Sequence, residues 1–349
     1  MDRSELVATL GLVKPALASN NLIPVFQCFA FDGKTVSAYN DQIGLVAPCK
    51  VGKEPFAING DILYGLLTNI QADDVAFEVE DDGVVMTADR HVSKLSYLPQ
   101  DDFLFEEPKD KWLNTIELNA DLIDGLLICQ ETASTDQAMP ALVGIRLMHY
   151  GNGLALYSTD GDAITRYKLD NKASSAVALD VMLPTAFCEA VAKLWGALES
   201  PAGTLSISDK WAKAALKSGH VAYGTLLDKA EELDLEDMIK QHVKGTTGFV
   251  ALPLGLKEAL SRARVLSDTE SQKTVLSVTK GKLRMLTETH MGTVDDEVTF
   301  RGHADIKKAY VNAAHIQRAL AITDQMLVMN DSTAFIKGNK ILTVVSNMG

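Results

Sequence analysis

The sequence predicts an α+β protein built from a tandemly repeated unit of one helix and antiparallel strands. Three observations carry this. A helix-opening pattern returns roughly every 60 residues, the stretches between openings alternate apolar and polar residues, and 349 residues exceed one ordinary core.

The openings are NGDILYGLLTNI (59–70), NADLIDGLLICQ (119–130), PTAFCEAVAKLW (184–195), PLGLKEALSRAR (253–264) and NAAHIQRALAIT (312–323). Their first residues, Asn59, Asn119, Pro184, Pro253 and Asn312, are 60, 65, 69 and 59 positions apart. SELVATLGLVKPALAS (4–19) adds a sixth, 55 positions before Asn59. Asn and Ser accept hydrogen bonds from first-turn amides, and Pro has no amide to leave unsatisfied, so each opener suits a helix start.

Three and seven residues beyond the openers stand Ile62 and Leu66, Leu122 and Leu126, Phe187 and Val191, Leu256 and Leu260, and His315 and Ala319. Residues four apart share one helical face, which predicts the packed stripe; in the last unit it slips by one, to Ile316 and Leu320. The sixth position is Gly65, Gly125, Ala190 and Ala259 in four units. A small residue there predicts close approach of the helix to its neighbour, since a helical Gly otherwise costs about 0.5–1 kcal/mol against Ala.

Between helices the period changes to two. Residues 74–88, 153–169, 203–224, 281–300 and 331–346 read as strands folded about turn signals that include EDDG, TDGD and KGNK. Each unit is then one helix with three or four antiparallel strands. Pairing consecutive units gives three domains, 1–110, 111–243 and 244–349, each of ordinary size.

Composition limits function. With 47% hydrophobic and 23% charged residues the chain resembles a soluble globular protein, and no run approaches the roughly 20 apolar residues a membrane span needs. The N-terminal MDRSELVATLGLVKPALAS lacks a secretory h-region, so a cytoplasmic protein is expected. Cys28, Cys49, Cys129 and Cys188 form no CxxC pair and read as buried thiols. A net charge of −13 argues against coating nucleic acid through a broadly basic surface, so any DNA contact must be local.

Catalytic signatures are absent. There is no GxxxxGK[ST] loop, GxSxG elbow or HExxH pair; GNG (151–153) stands in a hairpin turn, and TDGD (159–162) lacks the further ligands of a calcium loop. No metal or cofactor is implied, and no enzymatic activity is expected. Lys14, Lys193, Lys257, Arg262, Arg264 and Arg318 lie on the predicted helices, where long side chains reach either phosphates or plain solvent. The same helices carry Glu5, Asp61, Asp121, Asp124, Glu131, Glu189 and Glu258, which suits the solvated reading equally well.

ALVGIRLMHYGNGLALYSTDGDAITRYKL (141–169) resembles the central-domain strand region of the bacterial β sliding clamps, whose pattern reads L-x-G, a hairpin, then A-T-D-G-H-R-L. SKLSYLPQDDF (93–103) is similar to the family's S-x-L-P-x-x-D-F segment, and ARVLSDTES (263–271) to its A-x-I-L-S segment. The order of three doubled domains matches as well. The resemblance implies a ring-forming homodimer of three-domain chains that encircles double-stranded DNA without reading sequence, loaded by an ATP-dependent clamp loader and tethering DNA polymerase as a processivity factor. It places Phe103 and Phe105 of one copy against Val265 and Leu266 of the other. It also implies an apolar pocket for partner peptides, formed by Leu142, Thr159, Gly161, Asp162 and Ile164 with Val344, Ser346 and Met348.

Departures from the pattern bear on partner preference. Asp162 stands where the family has His, the chain ends in SNMG, and LDLEDMIK (233–240) replaces the family's F-P-D-Y-R-R linker. Thr185 and Ala186 replace a basic pair. These losses fit a divergent clamp, including a phage-encoded one. Two other readings compete: a monomeric clamp-like scaffold, discriminated by failure of Phe103 and Phe105 to meet a partner, and an α+β repeat enzyme with dispersed active-site residues, discriminated by a deep pocket of perturbed titratable groups.

Overall fold

The computed structural model describes all residues except 20–22, 53, 99–102, 104, 135, 137, 140–141, 171–177, 200–201, 229–232, 245–249, 268–272, 302–305, 323–325, 330–332 and 347–349. Seven α-helices occur among the described residues: α1 (Arg3–Val13), α2 (Gly60–Asn69), α3 (Ala120–Gln130), α4 (Thr185–Ala197), α5 (Leu235–Val243), α6 (Leu256–Ser267) and α7 (Ala313–Ile322). Six are the expected repeat helices. None is long and apolar enough to cross a membrane.

The strands follow the alternation as read. Residues 74–88 fold into the hairpin Ala76–Glu80 and Gly83–Ala88, and TDGD turns between Gly153–Thr159 and Ala163–Leu169. KGNK turns between Thr333–Lys337 and Ile341–Ser346. Every pairing between these strands is antiparallel, which fixes the α+β class.

The chain forms two compact units. The first takes in Met1–Ile123 and Ala186–Leu226, and the second Asp124–Lys172, Ala178–Thr185 and Leu227–Gly349. In the first unit a nine-stranded sheet runs in the order 97–98, 56–59, 28–31, 35–39, 43–48, 221–225, 211–216, 203–207, 114–118, beside a three-stranded sheet of 76–80, 83–88 and 91–95. The second unit holds a seven-stranded sheet ordered 180–183, 145–150, 153–159, 163–169, 341–346, 333–337, 326–329, and a four-stranded sheet ordered 292–299, 282–289, 273–279, 306–312. In the first unit α1 packs against α2 and the strand 43–48; in the second α6 packs against α7 and the four-stranded sheet.

The stripes predicted for α3, α4, α6 and α7 are buried: Leu122 and Leu126, Phe187 and Val191, Leu256 and Leu260, and His315, Ile316, Ala319 and Leu320. In α2 the stripe is displaced. Ile62 is 55% exposed, and Leu63 and Leu67 face the core instead. Asn59 caps α2 by accepting from the Ile62 amide, as Asn119 caps α3 by accepting from that of Leu122; what differs is that Gly60 sits so near Leu17 that a Cβ would lie 2.3 Å from its Cδ1. That contact rotates α2 to bury Gly60, Leu63 and Leu67. Gly65 therefore meets nothing within 4 Å, whereas Gly125 lies where a Cβ would be 2.7 Å from Tyr167 and 2.8 Å from Leu156. The close-packing expectation holds for Gly125 and fails for Gly65.

The first helix also ends earlier than the sequence suggests. Asp2 caps α1 by accepting from the Glu5 amide, and α1 stops at Val13, followed by a 3-10 turn at Lys14–Ala16. Pro15 has no amide to continue the α-helical ladder, so Lys14 stands in that turn rather than within the helix. The helix α5 was not anticipated at all. Its signals were present: Asp234 accepts from the Asp237 amide, Glu236 and Asp237 fill the first turn, and Leu235 and Ile239 stand four apart on the buried side.

All four cysteines are buried free thiols. Burial pushes the Cys28 thiol up to about 11 and Cys49 and Cys129 up to about 12, which keeps them protonated and inert at neutral pH.

Candidate functional site

The TDGD turn is a rigid piece of backbone. The Thr159 hydroxyl donates to the Ala163 carbonyl at 2.7 Å and accepts from the Gly161 amide at 3.1 Å. Gly161 takes φ +97°, which excludes most side chains, and the Asp160 carboxylate accepts from the Asp162 and Ala163 amides at 3.0 and 2.9 Å. Leu142 lies over the turn, its Cδ1 3.8 Å from the point a Gly161 Cβ would occupy. Leu142, Thr159, Gly161 and Asp162 are thus brought together by one turn and the loop above it.

The other oxygen of Asp160 meets His315 Nε2 at 2.8 Å, joining this turn to the first turn of α7. Burial pushes the Asp160 carboxyl up, but the His315 hydrogen bond and charge, with the Ala163 and Asp162 amides, hold it below its usual 3.8. A carboxyl depressed in the folded state contributes stability that is present above its unfolded value and is lost as pH falls through the folded one. Urea titrations are expected to show unfolding free energy declining as pH drops below 3.8, with a smaller decline in His315→Gln.

Ile164 and Val344 pair across the strands 163–169 and 341–346, and both are buried. They belong to a cluster with Ala155, Tyr157, Phe335 and Leu342, and with Leu235 and Ile239 of α5. A polar lock lies alongside. Arg166 Nη1 donates to both oxygens of Glu236, at 3.1 and 2.9 Å, and the two side chains are each only 12% exposed. The Tyr157 hydroxyl donates to Glu236 Oε2 at 2.9 Å, and burial, then the Glu236 charge, drive that phenol far above its ordinary value. Arg146 donates from Nη1 to the Leu233 carbonyl at 2.7 Å and engages Asp180 with Nε and Nη2 at 2.8 and 3.0 Å. Of the predicted pocket residues, Met348 and the side chain of Ser346 lie outside the described residues.

Phe105 is engaged within its own unit. Its ring sits between Tyr39 and Tyr223, centroids 5.0 and 5.4 Å away, and lies against Gly44. Tyr223 in turn donates to Glu107 at 2.7 Å, and Phe103 packs on Cys28, Ala30 and Ala57. In the second unit Val265 is 71% exposed near the end of α6, and Leu266 lies beside the turn at Gly292.

Three of the predicted DNA-facing cations pair with carboxylates of the same chain: Lys14 with Asp61 at 2.9 Å, Lys193 with Glu189 at 2.6 Å, and Arg262 bidentately with Asp296 at 3.0 and 2.9 Å. Lys257 and Arg264 stand on α6. The Arg318 side chain lies outside the described residues. Among the described residues no three His, Cys, Asp or Glu side chains gather as a metal site.

No protein-family model matches the sequence, and no curated protein matches it. Solved structures match along its whole length. The beta subunit of DNA polymerase III from Thermotoga maritima superposes with a TM-score of 0.82 at 18% identity, covering 100% of this chain and 98% of that one. The sliding clamp of Bartonella birtlesii bound to griselimycin gives 0.85 at 18% identity, and that of Pseudomonas aeruginosa bound to griselimycin 0.81 at 20%, each covering 100% of this chain and 98% of the other. The chain has the sliding-clamp fold.

Within the clamp fold, sequence reasoning brought Leu142, Thr159, Gly161 and Asp162 to one place and Ile164 beside Val344. It missed the side chains that organise the surroundings: Tyr157, Arg166, Glu236, Arg146, Asp180 and His315 with Asp160. Arg166 and Tyr157 occupy ordinary alternating strand positions, and only the helical pattern of 234–243 would have signalled that a carboxylate comes to meet them.

Proposed function

We propose that this chain is a DNA sliding clamp: two copies join head to tail in a closed ring around duplex DNA and tether a DNA polymerase. The observation that carries the reading is a rule of strand pairing inside the clamp fold. Among the described residues there are six three-stranded meanders, and four of them are joined third strand to third strand. In the first unit 43–46 pairs antiparallel with 221–224, and in the second 163–167 pairs antiparallel with 341–345. Two third strands remain with an open edge among the described residues, 91–95 and 292–299.

Each joint unites the first meander of one domain with the second meander of the next, taking domains at 1–110, 111–243 and 244–349. By the same rule 292–299 of one copy pairs with 91–95 of another, a head-to-tail contact that closes when the rotation permits. Apolar side chains stand exposed at both edges: Val92, 67% exposed, on the one, and Val265 and Met291, 71% and 57% exposed, by the other. On this reading Val265 and Leu266 form the apolar part of the joint with Phe103, whereas Phe105, which the resemblance also assigns to the joint, packs between Tyr39 and Tyr223 of its own unit.

A closed ring holds DNA by topology, so weak, non-directional phosphate contacts suffice, in keeping with a net charge of −13 and helix cations tempered by neighbouring carboxylates. Lys14, Lys193, Lys257, Arg262, Arg264 and Arg318 supply those contacts. The cleft of Leu142, Thr159, Gly161, Asp162, Ile164, Val344, Ser346 and Met348 captures partner peptides, raising the polymerase's effective concentration at the primer end. An ATP-driven loader opens the ring in the cytoplasm; this chain performs no catalysis.

Light scattering across a concentration series tests the reading. The native chain is expected at twice the mass of 37.8 kDa. Val265→Ser removes an exposed side chain and leaves the fold intact, so it should raise the dimer dissociation constant by about tenfold, the worth of one buried Val. A native chain that stays monomeric at every concentration overturns autonomous ring closure.

A further inference from the structure

We propose that the open edge of the strand 76–80 takes up an extended segment of another protein, one that alternates apolar and basic side chains, as an added antiparallel strand. The inference needs neither ring closure nor the cleft at Ile164 and Val344, and rests on strand pairing within the first unit.

Strands that run into the repeat helices have a fixed place among the described residues. Residues 56–59 lead into α2 and pair with 28–31, 114–118 lead into α3 and pair with 203–207, 180–183 lead into α4 and pair with 145–148, and 306–312 lead into α7 and pair with 273–278. Each such strand is four to seven residues long and covers the first strand of a meander. Ahead of α1 the same place is held by Met1 and Asp2. The Met1 nitrogen donates to the Val75 carbonyl at 3.1 Å, the Met1 carbonyl accepts from the Val75 amide at 2.9 Å, and the Asp73 carbonyl accepts from the Arg3 amide at 2.8 Å. Coverage stops there.

Beyond Val75 the edge is open. Outward backbone groups recur at every second residue of a strand, so after Asp73 and Val75 they are those of Phe77 and Val79. The hairpin agrees: across the turn at Asp81 and Asp82, Glu80 faces Gly83, and Glu78 and Ala76 share its bonding toward 83–88. Among the described residues no backbone group bonds Phe77 or Val79 on the outer side. A groove of about 560 Å³ runs along them, with Lys50, Val51 and Glu54 on its facing wall.

The two faces of the edge ask for different side chains. Phe77 and Val79 lie on the half-buried face, Phe77 beside Phe31 and Phe56 with centroids 6.5 and 6.1 Å away, and Val51 and Val75 are buried there. Ala76, Glu78 and Glu80 lie on the exposed face. An antiparallel segment continuing the line of Met1 sets one side chain beside Phe77 and another beside Val79, both over an apolar floor, and between them one opposite Glu78, in the pair where strands approach most closely. Apolar residues suit the first two places and a basic residue the third. Charge rejects a second copy of the same edge: residues 73–82, DDVAFEVEDD, carry six carboxylates and no cation. Lys94 pairs with Glu80 and Asp82, Lys50 and Glu54 oppose each other in sign, and Glu78 has no ion partner among the described residues. Two such edges repel, whereas a basic segment is drawn to one.

The probe is the fluorescent hexapeptide Lys-Val-Lys-Val-Lys-Val, titrated into the full-length chain beside forms N-methylated at the valines or at the lysines. In the proposed register the valine amides point at the edge and the lysine amides away, so methylating the valines should weaken binding by about tenfold and methylating the lysines by about twofold at most. Glu78→Lys changes an exposed side chain; it should weaken the hexapeptide by about fivefold and tighten its Glu-Val counterpart by a similar factor. Residue-resolved hydrogen exchange should slow at the Phe77 and Val79 amides on saturation and change little at Ala76 and Glu78, whose amides already bond within the hairpin. No binding, equal affinity for the valine-methylated form, or unchanged exchange at Phe77 and Val79 would each overturn the proposal. Protection of those two amides in the chain alone, growing with its concentration, would show the edge paired to a second copy and overturn it as well. Mass in solution scores the ring separately, so either reading can fail without the other.

Discussion

Replacing Arg166 or Glu236 by Ala should lower the free energy of opening α5 by about 3 kcal/mol, because either change strands a charge that is taken from water in the native chain. Both side chains are 12% exposed, and Glu236 also accepts from the Tyr157 hydroxyl, so the surviving partner has little solvent to turn to while α5 stays docked. Hydrogen exchange at 235–243 reads this opening directly. The double variant should cost little more than either single one, since it removes both charges, giving a coupling of about 2–3 kcal/mol in the cycle. Additive single effects would mean that the pair is solvated and that apolar contact by Leu235 and Ile239 alone seats the helix.

The second large effect comes from two glycines in the same register of two repeat helices. Gly125→Ala in α3 should destabilise the chain by about 1–3 kcal/mol, since the new methyl would lie 2.7 Å from Tyr167 Cδ1 and 2.8 Å from Leu156 Cδ1. Tyr167 is buried and Leu156 fully so, and neither has space to retreat. Gly65→Ala in α2 should stabilise by about 0.5–1 kcal/mol, because its methyl meets nothing within 4 Å and the helix loses an entropic liability. Thermal or urea unfolding of the two variants side by side checks both signs. Two destabilising substitutions would show that α2 packs through Gly65 after all.

These glycines mark how far sequence reading reached. NGDILYGLLTNI and NADLIDGLLICQ carry Gly at the same place, and by spacing alone both predict a packed face. What separates them is Leu17, more than 40 positions before Gly60 in the chain, which fills the space over Gly60 and rotates α2 about its axis. No local pattern encodes that contact. The basic residues present the same difficulty: Arg262 lies on the predicted helix, but the carboxylate that takes its guanidinium, Asp296, comes from a strand 34 positions later.

The sequence by itself determined the helix starts, the hairpins and their turns, and the α+β class, because caps, turn residues and periods of two and 3.6 are written within a few neighbouring positions. Only the tertiary structure decided which third strands of the meanders join, which two of them keep an open edge among the described residues, and that the helix at 235–243 lies over Ile164 and Val344. Those outcomes depend on partners that lie far away along the chain. The pair Thr165 and Thr343, whose hydroxyls meet at 3.0 Å across 178 positions, has no signature in either segment alone, since the free energy that selects it belongs to the contact and not to either strand.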